Sequence, residues 1–529
     1  GSDSLGNSQF VVDLVFTSEG TTKFADATTK AFANNQSIGI YYDGDFISVP
    51  NVQAALTDGK AQITGMGTFE QAERLASQIR IGGLKLELEE LRSNVVGAQL
   101  GEEAVRTSLL AALIGLVVIA LFMIVVYRIP GLASVLALVI YTCLIVICLN
   151  IFELTLTLPG IAGIILSIGM AVDANVIIFA RVREEITAGK SVRNAIDTGF
   201  QKALSAIVDG NVTTLIAALV LGIKGSGTVK GFAYTLGLGI VLSMFTALFV
   251  TRQILKAFFA VGLKDVKFYG TNKEKGTVNF LSKKNIFFAC SIAVIVLGFV
   301  FMGINGATTG KVLNYSLDFV GGTSTNVTFN EDLALAEIDT KVVPVFTNIT
   351  GDGAVQVQKV AGSNEVIFKT RELNLSEREQ LNSALAEQFG VNEELITAET
   401  ISSTISSEMK NDAVIAVIIA TVCMLIYIWF RFKDIRFAAS SVAALVHDVL
   451  VVLAFYAVAK VSVGSTFIAC MLTIVGYSIN ATIVIFDRIR ENLGTMLKKD
   501  SLEELVNRSI SQTLSRSIFT SLTTFIMVA

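Results

Sequence analysis

Long apolar runs alternate with two long polar segments along this chain of 529 residues. Each apolar run is about 18–25 residues long, the length that a helix needs to cross the ~30 Å hydrocarbon core of a bilayer. The runs predict ten membrane-spanning helices, at residues 106–127, 132–152, 159–181, 203–223, 230–252, 285–304, 411–431, 434–459, 463–486 and 512–529. The polar segments 1–105 and 305–410 lie outside these spans and predict two water-exposed domains.

The second polar segment has the pattern of a small α+β domain. Its elements are predicted in the order strand, helix, strand, strand, helix, strand, at residues 316–329, 331–343, 353–359, 364–370, 376–388 and 395–401. This order is typical of the split βαβ, or ferredoxin-like, fold. Residues 8–90 follow it loosely, with a strand at 10–16 and a helix at 68–79. Gly321-Gly322 predicts a tight strand bend rather than a phosphate cradle.

Basic residues between the predicted spans indicate the orientation of the chain. One set of loops carries most of the lysine and arginine, whereas the opposite short loops carry only Lys224, Lys230 and Lys460. By the positive-inside rule the first set is cytoplasmic, so both polar segments are extracytoplasmic. Because segment 1–105 shows no signal peptide, we expect a further span before it. The apolar run that stops at Ala529 is likewise expected to be incomplete.

Composition agrees with a membrane protein and excludes some other classes. Hydrophobic residues make up 52% of the chain and charged residues 16%, with a mean hydropathy of +0.64. A net charge of −4, with neither half strongly basic, argues against a nucleic-acid partner. The five cysteines all fall inside apolar runs, with neither metal-ligand spacing nor a disulfide framework for the outer segments.

An internal repeat relates the two membrane regions. The matching segments are Gly169–Glu184 with Gly476–Glu491, and Gln201–Ile216 with Ser511–Ile526. In this alignment Asp173 falls on Asn480, and Thr213 falls on Thr523. A parallel repeat of this kind predicts two related half-bundles and favours a functional site near the membrane midplane between them.

Asp173 is the first candidate for chemistry, because it lies well inside a predicted span. A carboxylate at mid-membrane costs about 2.5–3.5 kcal/mol on insertion scales, so it must face protein or water. Ala162, Gly169 and Ala180 share its helix face and are small enough for close helix approach. Such a group is suited to taking up and releasing protons; the alternative is a carboxyl that only joins helices by hydrogen bonds.

Asp209 is a second candidate, on one helical stripe with Ser205 and Thr213. Its position nearer the middle than the end of the span makes a functional role and a structural one equally reasonable. Asn211 points to another face and is expected to join helices.

Arg516 is the third candidate, and it shares a helix face with Thr513, Thr520 and Thr523. This polar stripe predicts a fixed cation that pairs with a titrating carboxylate. The alternative is an arginine that snorkels to the cytoplasmic surface.

The remaining polar residues inside the spans favour structural roles. His447-Asp448 contains the only histidine of the chain, and a hydrogen-bonded packing pair is a better interpretation than a proton relay. Arg181, Arg183, Arg488 and Arg490 are predicted to be cytoplasmic anchors. No nucleophile–base pair, metal cluster or phosphate loop is present in the sequence, so enzymatic activity is not expected.

The most specific motifs resemble those of the SecDF family of Sec translocon accessory proteins, within the resistance–nodulation–division superfamily. They are GMAVDAN at 169–175, DGNVTT at 209–214, GFAYTLG at 231–237, LDFVGG at 317–322, His447-Asp448, GYSIN at 476–480, FDRIREN at 486–492 and QTLSR at 512–516. The resemblance covers essentially the whole chain. Residues 1–256 are similar to the SecD part and 278–529 to the SecF part, fused through the basic linker 257–277.

The resemblance implies a polytopic α-helical protein with an RND-like two-fold bundle and ferredoxin-like outer domains. It divides the SecD part into an outer domain incomplete at its N-terminus (1–105) and a five-span bundle (106–256), followed by a cytoplasmic linker (257–284). The SecF part consists of a first span (285–304), a second outer domain (305–410) and a truncated four-span bundle (411–529).

The resemblance further implies a helper of protein export in the bacterial cytoplasmic membrane, driven by the proton motive force. Its implied partners are the SecYEG channel, the SecA motor, YajC- or YidC-type membrane proteins and the translocating preprotein. Protons are the coupling ion, and no other cofactor is expected. Asp173 and Arg516 match positions of the family's proton pathway, with Asp209 beside them. Further polar positions within the membrane are Asn175, Asn480, His447, Asp448, Thr213 and Thr520.

One departure from the family pattern bears on mechanism. The family has an aspartate directly after the asparagine matched by Asn480, whereas this chain has Ala481. The leading hypothesis is therefore an export factor whose proton coupling is impaired. Two alternatives stay open: an RND-type exporter of small hydrophobic molecules, and a non-transporting scaffold for membrane-protein insertion.

Overall fold

A computed structural model describes residues 10–42, 45–82, 91–95, 98–225, 227–271, 276–353, 355–360, 362–494 and 501–528. The chain divides into two compact units, Gly1–Glu90 and Leu91–Ala529. Several predicted regions fall partly outside the described residues: 1–9, 43–44, 83–90 and 96–97 of the first outer domain, 272–275 of the linker, residue 354 of a strand and Ala529 of the last span.

The first unit is a small α+β domain. Its elements are β1 (Phe10–Val15), α1 (Ser18–Ala33), β2 (Ile40–Tyr42), β3 (Asp45–Ser48), β4 (Lys60–Met66) and α2 (Phe69–Gly82). Strand β1 pairs antiparallel with β4, and β2 pairs antiparallel with β3. Val12, Ile63, Ala72 and Leu75 form its core. The predicted strand at 10–16 and helix at 68–79 correspond to β1 and α2.

The second outer domain, in the larger unit, has the ferredoxin-like order of elements. Its elements are a short helix α10 (Leu317–Val320), β6 (Gly322–Thr328), α11 (Leu335–Glu337) joined by a π turn to α12 (Val343–Thr350), β7 (Gln356–Lys359), β8 (Glu365–Thr370), α13 (Leu375–Phe389) and β9 (Thr397–Ile401). Phe346 stacks on Phe368 at 4.2 Å between ring centroids in the core. The predicted order of strands and helices is confirmed.

Two details of this domain differ from the sequence prediction. The first strand begins at Gly322 rather than at 316, because α10 and a bend precede it. Gly321 and Gly322 have φ of +77° and +114°, which favour glycine, so the predicted tight bend is confirmed. The sheet also has a fifth strand, β5 (Arg92–Val95), which pairs with β9. The sequence analysis placed these residues in the first outer domain, and a four-residue strand carries no local signal for so distant a partner.

The membrane region consists of long helices. They are α3 (Ala98–Tyr127), α4 (Ile129–Ile151), α5 (Leu158–Thr187), α6 (Val192–Lys224), α7 (Gly227–Phe245) continued through a π turn by α8 (Thr251–Ala260), α9 (Lys284–Thr309), α14 (Ser403–Phe432), α15 (Ile435–Ala459), α16 (Ser465–Leu493) and α17 (Leu502–Val528). Among the described residues, nine helices are long and apolar enough to cross a membrane. The tenth predicted span lies in α17, whose serine, threonine and arginine residues lower its hydropathy.

Burial separates the central helices of the bundle from the outer ones. The apolar stretch of α5 is 78% buried, whereas that of α9 is 6% buried. A helix that is apolar but exposed in this way presents its side chains to lipid rather than to protein. Helix α5 is therefore central, and Asp173 lies in the middle of it.

The two repeats meet at two related helix crossings. Helix α16 packs on α6, and α5 packs on α17. At the first crossing a Cβ added to Gly476 would lie 2.9 Å from Thr214 Cα; at the second, a Cβ on Gly169 would lie 3.5 Å from Thr524 Cα. Each half therefore contributes its first repeat helix to one crossing and its second to the other, with a glycine at the contact.

Candidate functional site

Asp173 lies at the α5–α17 crossing, where only hydroxyl groups contact its carboxylate. The residue is 3% exposed. Tyr477 of α16 donates a short hydrogen bond to Oδ2, and the hydroxyls of Thr523 and Thr524 donate at 3.1 and 3.4 Å. Within the described residues the carboxylate forms no ion pair. These partners are neutral whichever charge state the carboxyl takes, which suits a group that gains and loses a proton.

Tyr477 joins this carboxylate to a small cavity. Its hydroxyl is also 2.8 Å from Thr524 Oγ1, and its side chain lines a cavity of about 40 Å³ together with Asn480, Ala481, Arg516 and Thr520. Tyr477 was not among the predicted site residues. The available signal was its position inside a predicted span, one helical turn before the position of the family aspartate.

Arg516 lies on the predicted polar stripe, but it does not pair with Asp173. It is 8% exposed, so it is buried rather than extended to the aqueous surface. Arg516 and Thr523 are seven residues apart on α17, which places their Cα atoms about 10 Å apart along the helix. Thr520 lies between them, and its hydroxyl donates to the Arg516 carbonyl at 2.8 Å. Among the described residues Arg516 and Asp173 form no ion pair, and the pairing of this cation with a titrating carboxylate stays a prediction.

Asp209 has the opposite setting. Arg431 Nε lies 2.6 Å from its Oδ2, and Tyr427 donates to Oδ1 at 2.8 Å. The hydroxyl of the predicted neighbour Ser205 donates a hydrogen bond to Asp209 Oδ2 at 3.4 Å, and it accepts one from Arg431. Arg431 is the last residue of a predicted span, and no local pattern indicates this pair because its two residues are more than two hundred positions apart. The geometry favours a structural ion pair.

Asn480 occupies the position that the repeat aligns with Asp173. Its amide faces Gly210 of α6, where any Cβ would collide with it, and its Oδ1 has no hydrogen-bond partner among the described residues. Thr213 and Thr214 instead donate to the Gly476 carbonyl at 3.0 and 3.2 Å. Among the described residues, the α6–α16 crossing therefore brings polar groups, but no acid, to the position that corresponds to Asp173.

The other predicted polar residues make local or packing contacts. Asn175 Nδ2 donates to the Ala171 carbonyl at 3.1 Å. His447 Nδ1 is 2.9 Å from Asp448 Oδ1, and Ser478 of α16 donates to Asp448 Oδ2. This pair links α15 to α16, in line with the packing interpretation.

An ionic cluster joins the two halves at the basic ends of α5 and α16. Arg181 lies 3.0 Å from Glu184 and 3.1 Å from Glu491, and Arg488 lies 2.8 Å from Glu184 and 3.0 Å from Glu491. The sequence analysis interpreted these arginines as surface anchors. The missed signal was that both repeats carry the same Arg-x-x-Glu pattern, so that each half can bind the other's glutamate.

Taken together, these features define a multi-pass membrane protein of two related halves, with a buried carboxylate where the halves meet. Two family descriptions match the chain. "Protein export membrane protein SecD/SecF, C-terminal" matches residues 80–260 and 380–529, and "SecDF, P1 head subdomain" matches residues 2–86. The chain belongs to the SecD/SecF family of protein export membrane proteins, which confirms the resemblance inferred from its motifs.

Individual relatives are similar in sequence to this chain over nearly its whole length. Protein translocase subunit SecDF of Bacillus subtilis is 35% identical over 96% of this chain and 72% of its own length. The same subunit from Thermus thermophilus is 35% identical over 99% of this chain and 70% of its own length. A crystal structure of the Thermus protein, described as a translocon-associated membrane protein, superposes with a TM-score of 0.76 at 33% identity, covering 100% of this chain and 70% of that one.

Proposed function

We propose that this chain is an accessory subunit of Sec protein export in the bacterial cytoplasmic membrane, and that it uses proton movement to assist preprotein translocation and release. The observation that carries the proton part is Asp173. It is a buried carboxylate between the two halves, and its hydrogen-bond donors among the described residues are hydroxyls of the opposite half. The Sec part rests on family membership and on relatives named as translocase subunits.

The coupling step is a change of charge at the interface of the halves. A proton that enters by the cavity beside Arg516 reaches Asp173 by way of the Tyr477 hydroxyl, which contacts both. When Asp173 is neutral, α5 and α17 pack without a buried charge. When it is ionised, the hydroxyls of Tyr477, Thr523 and Thr524 are required to stabilise the charge by hydrogen bonds. One charge crossing the membrane field is worth about 2.3 kcal/mol per 100 mV, enough to bias a two-state arrangement of helices.

The proposed partners are those of the Sec machinery. They are the SecYEG channel, the SecA motor, YajC- or YidC-type membrane proteins and the emerging preprotein. The translocon association of the Thermus relative supports this assignment. The role is that of a non-enzymatic energy coupler with protons as the coupling ion.

Proton flux in everted membrane vesicles tests the proposal directly. Asp173→Asn keeps the size of the side chain but cannot ionise, so we expect proton flux and preprotein release to fall at least tenfold. Asp197→Asn, which removes a half-exposed carboxylate paired with Arg252 and Lys256, is the matched control and should behave like the parent. Unchanged flux and release in Asp173→Asn would instead support a non-transporting scaffold.

Ala481 is expected to impair this coupling. It lines the cavity beside Arg516, where the family pattern has an acid. If the acid belongs to the proton route, Ala481→Asp should raise proton flux above that of the parent. No gain in flux from this variant would count against impairment and would leave Asp173 as the sufficient carboxylate.

A further inference from the structure

One buried positive charge of the membrane region has no carboxylate of its own. Arg516 is 8% exposed and forms no ion pair with any described carboxylate. Burial of an uncompensated charge is strongly unfavourable, because the low-dielectric interior does not replace the lost hydration. A counter-charge is therefore needed close to the guanidinium.

The acidic residues that act electrostatically on Arg516 are already engaged by other arginines. Glu184 and Asp487 act on it electrostatically, but so do the cations Arg181 and Arg488. Glu184 and Glu491 together balance those two arginines in the ionic cluster. Asp487 pairs with Arg490 at 3.2 Å. The sum of these charges leaves the positive charge of Arg516 in excess.

The cavity beside Arg516 has the size and lining of a small-anion site. Its volume of about 40 Å³ exceeds the roughly 10–15 Å³ that one water molecule needs by this measure. The space is therefore large enough for a monatomic anion. The guanidinium of Arg516 supplies charged hydrogen-bond donors beside it, and Ser517 and Ser521 are polar residues of its lining.

We propose that this cavity is a chloride-binding site, in which a halide bound between Arg516 and the methyl group of Ala481 neutralises the buried arginine. Ala481 matters because its small side chain leaves the space open. An aspartate at the same position would place a carboxylate in the cavity and replace the anion. The site lies in the cavity through which the proposed proton route enters, but anion binding there requires no gradient and can be tested without proton movement.

Thermal unfolding of the purified full-length chain in detergent tests the site without any transport measurement. Ionic strength is held constant while gluconate, a bulky organic anion, is replaced by chloride. We expect the unfolding midpoint of the parent to rise saturably with chloride. Ala481→Asp and Arg516→Gln should both have midpoints that do not respond. Arg193→Gln, which removes one exposed positive charge elsewhere, should respond like the parent.

Bromide provides a direct readout of position. Anomalous scattering from crystals grown in bromide should place an ion beside Arg516 in the parent and none in Ala481→Asp. If Arg516→Gln fails to fold, Ala481→Asp still decides, because it retains the arginine. A parent without a chloride response, or an equal response in parent and Ala481→Asp, would overturn the proposal. Neither result would bear on whether Asp173 carries protons.

Discussion

Asp173 and Asp209 are both buried carboxylates of the first half, yet their surroundings are opposite. Asp209 is 2.6 Å from a guanidinium nitrogen of Arg431, whereas Asp173 contacts only hydroxyls of Tyr477, Thr523 and Thr524. Opposite charges in contact stabilise each other, whereas hydroxyl partners bring no compensating charge. Two carboxylates can therefore be equally buried and still differ in the charge of their partners, which the sequence does not show.

The largest effect is expected from breaking the Asp209 pair. Arg431→Gln leaves a buried carboxylate without its cation, and we expect a loss of about 3 kcal/mol in the free energy of unfolding. Asp173→Asn should cost less than about 1 kcal/mol, because an amide can occupy the same hydroxyl shell. Equilibrium unfolding in mixed micelles measures both. Equal losses would show that the two carboxylates are not in different electrostatic settings.

A double variant sharpens this test. Asp209→Asn in the Arg431→Gln background removes the stranded charge, so part of the lost stability should return. If the double variant is no more stable than Arg431→Gln alone, the loss comes from packing of the arginine stem rather than from its charge.

A medium effect is expected where the two helix crossings differ in tightness. A Cβ at Gly476 would lie 2.9 Å from the backbone of Thr214, whereas a Cβ at Gly169 has 3.5 Å to Thr524. We therefore expect Gly476→Ala to destabilise by about 1–3 kcal/mol through overpacking. Gly169→Ala should be nearly neutral. Thermal unfolding of the two variants side by side checks the order, and a reversed order would contradict the described packing.

The smallest effect is expected for a carboxylate–cation pair that faces water. In the second outer domain, Arg371 Nη2 lies 2.5 Å from Glu377 Oε1, and the hydrogen bond from Arg371 holds the pKa of Glu377 below its usual range. Because the folded pKa is the lower one, this stabilisation is present above the unfolded value of about 4.3. It is lost as pH falls through the folded pKa.

Solvent screening limits this contribution to about 1 kcal/mol or less. Hydrogen exchange of the β6–β9 sheet, corrected for the intrinsic pH dependence of exchange, should show protection that declines on acidification in the parent. Glu377→Gln should lack that part of the decline. A decline of the same size in both proteins would assign it to other carboxylates.

Local patterns were sufficient to predict much of the fold. The apolar runs predicted the long helices of the membrane region, and the order of periodic segments predicted the strands and helices of the second outer domain. They did not predict β5, since residues 92–95 pair with a strand about three hundred residues later. They also missed the helical turn at 317–320, which is too short to show a helical period.

The sequence by itself determined which residues would be polar inside the membrane, because each intramembrane acid or arginine interrupts a long apolar run. It also determined that the chain has two related halves, since a repeat is visible without a structure. Only the tertiary structure decided the partners. Asp173 accepts a hydrogen bond from Tyr477, and Asp209 forms an ion pair with Arg431. Arg516 lines a cavity together with Ala481. The physical reason is that charge compensation depends on distances of a few ångströms between helices that are far apart in the chain, and no local pattern records those distances.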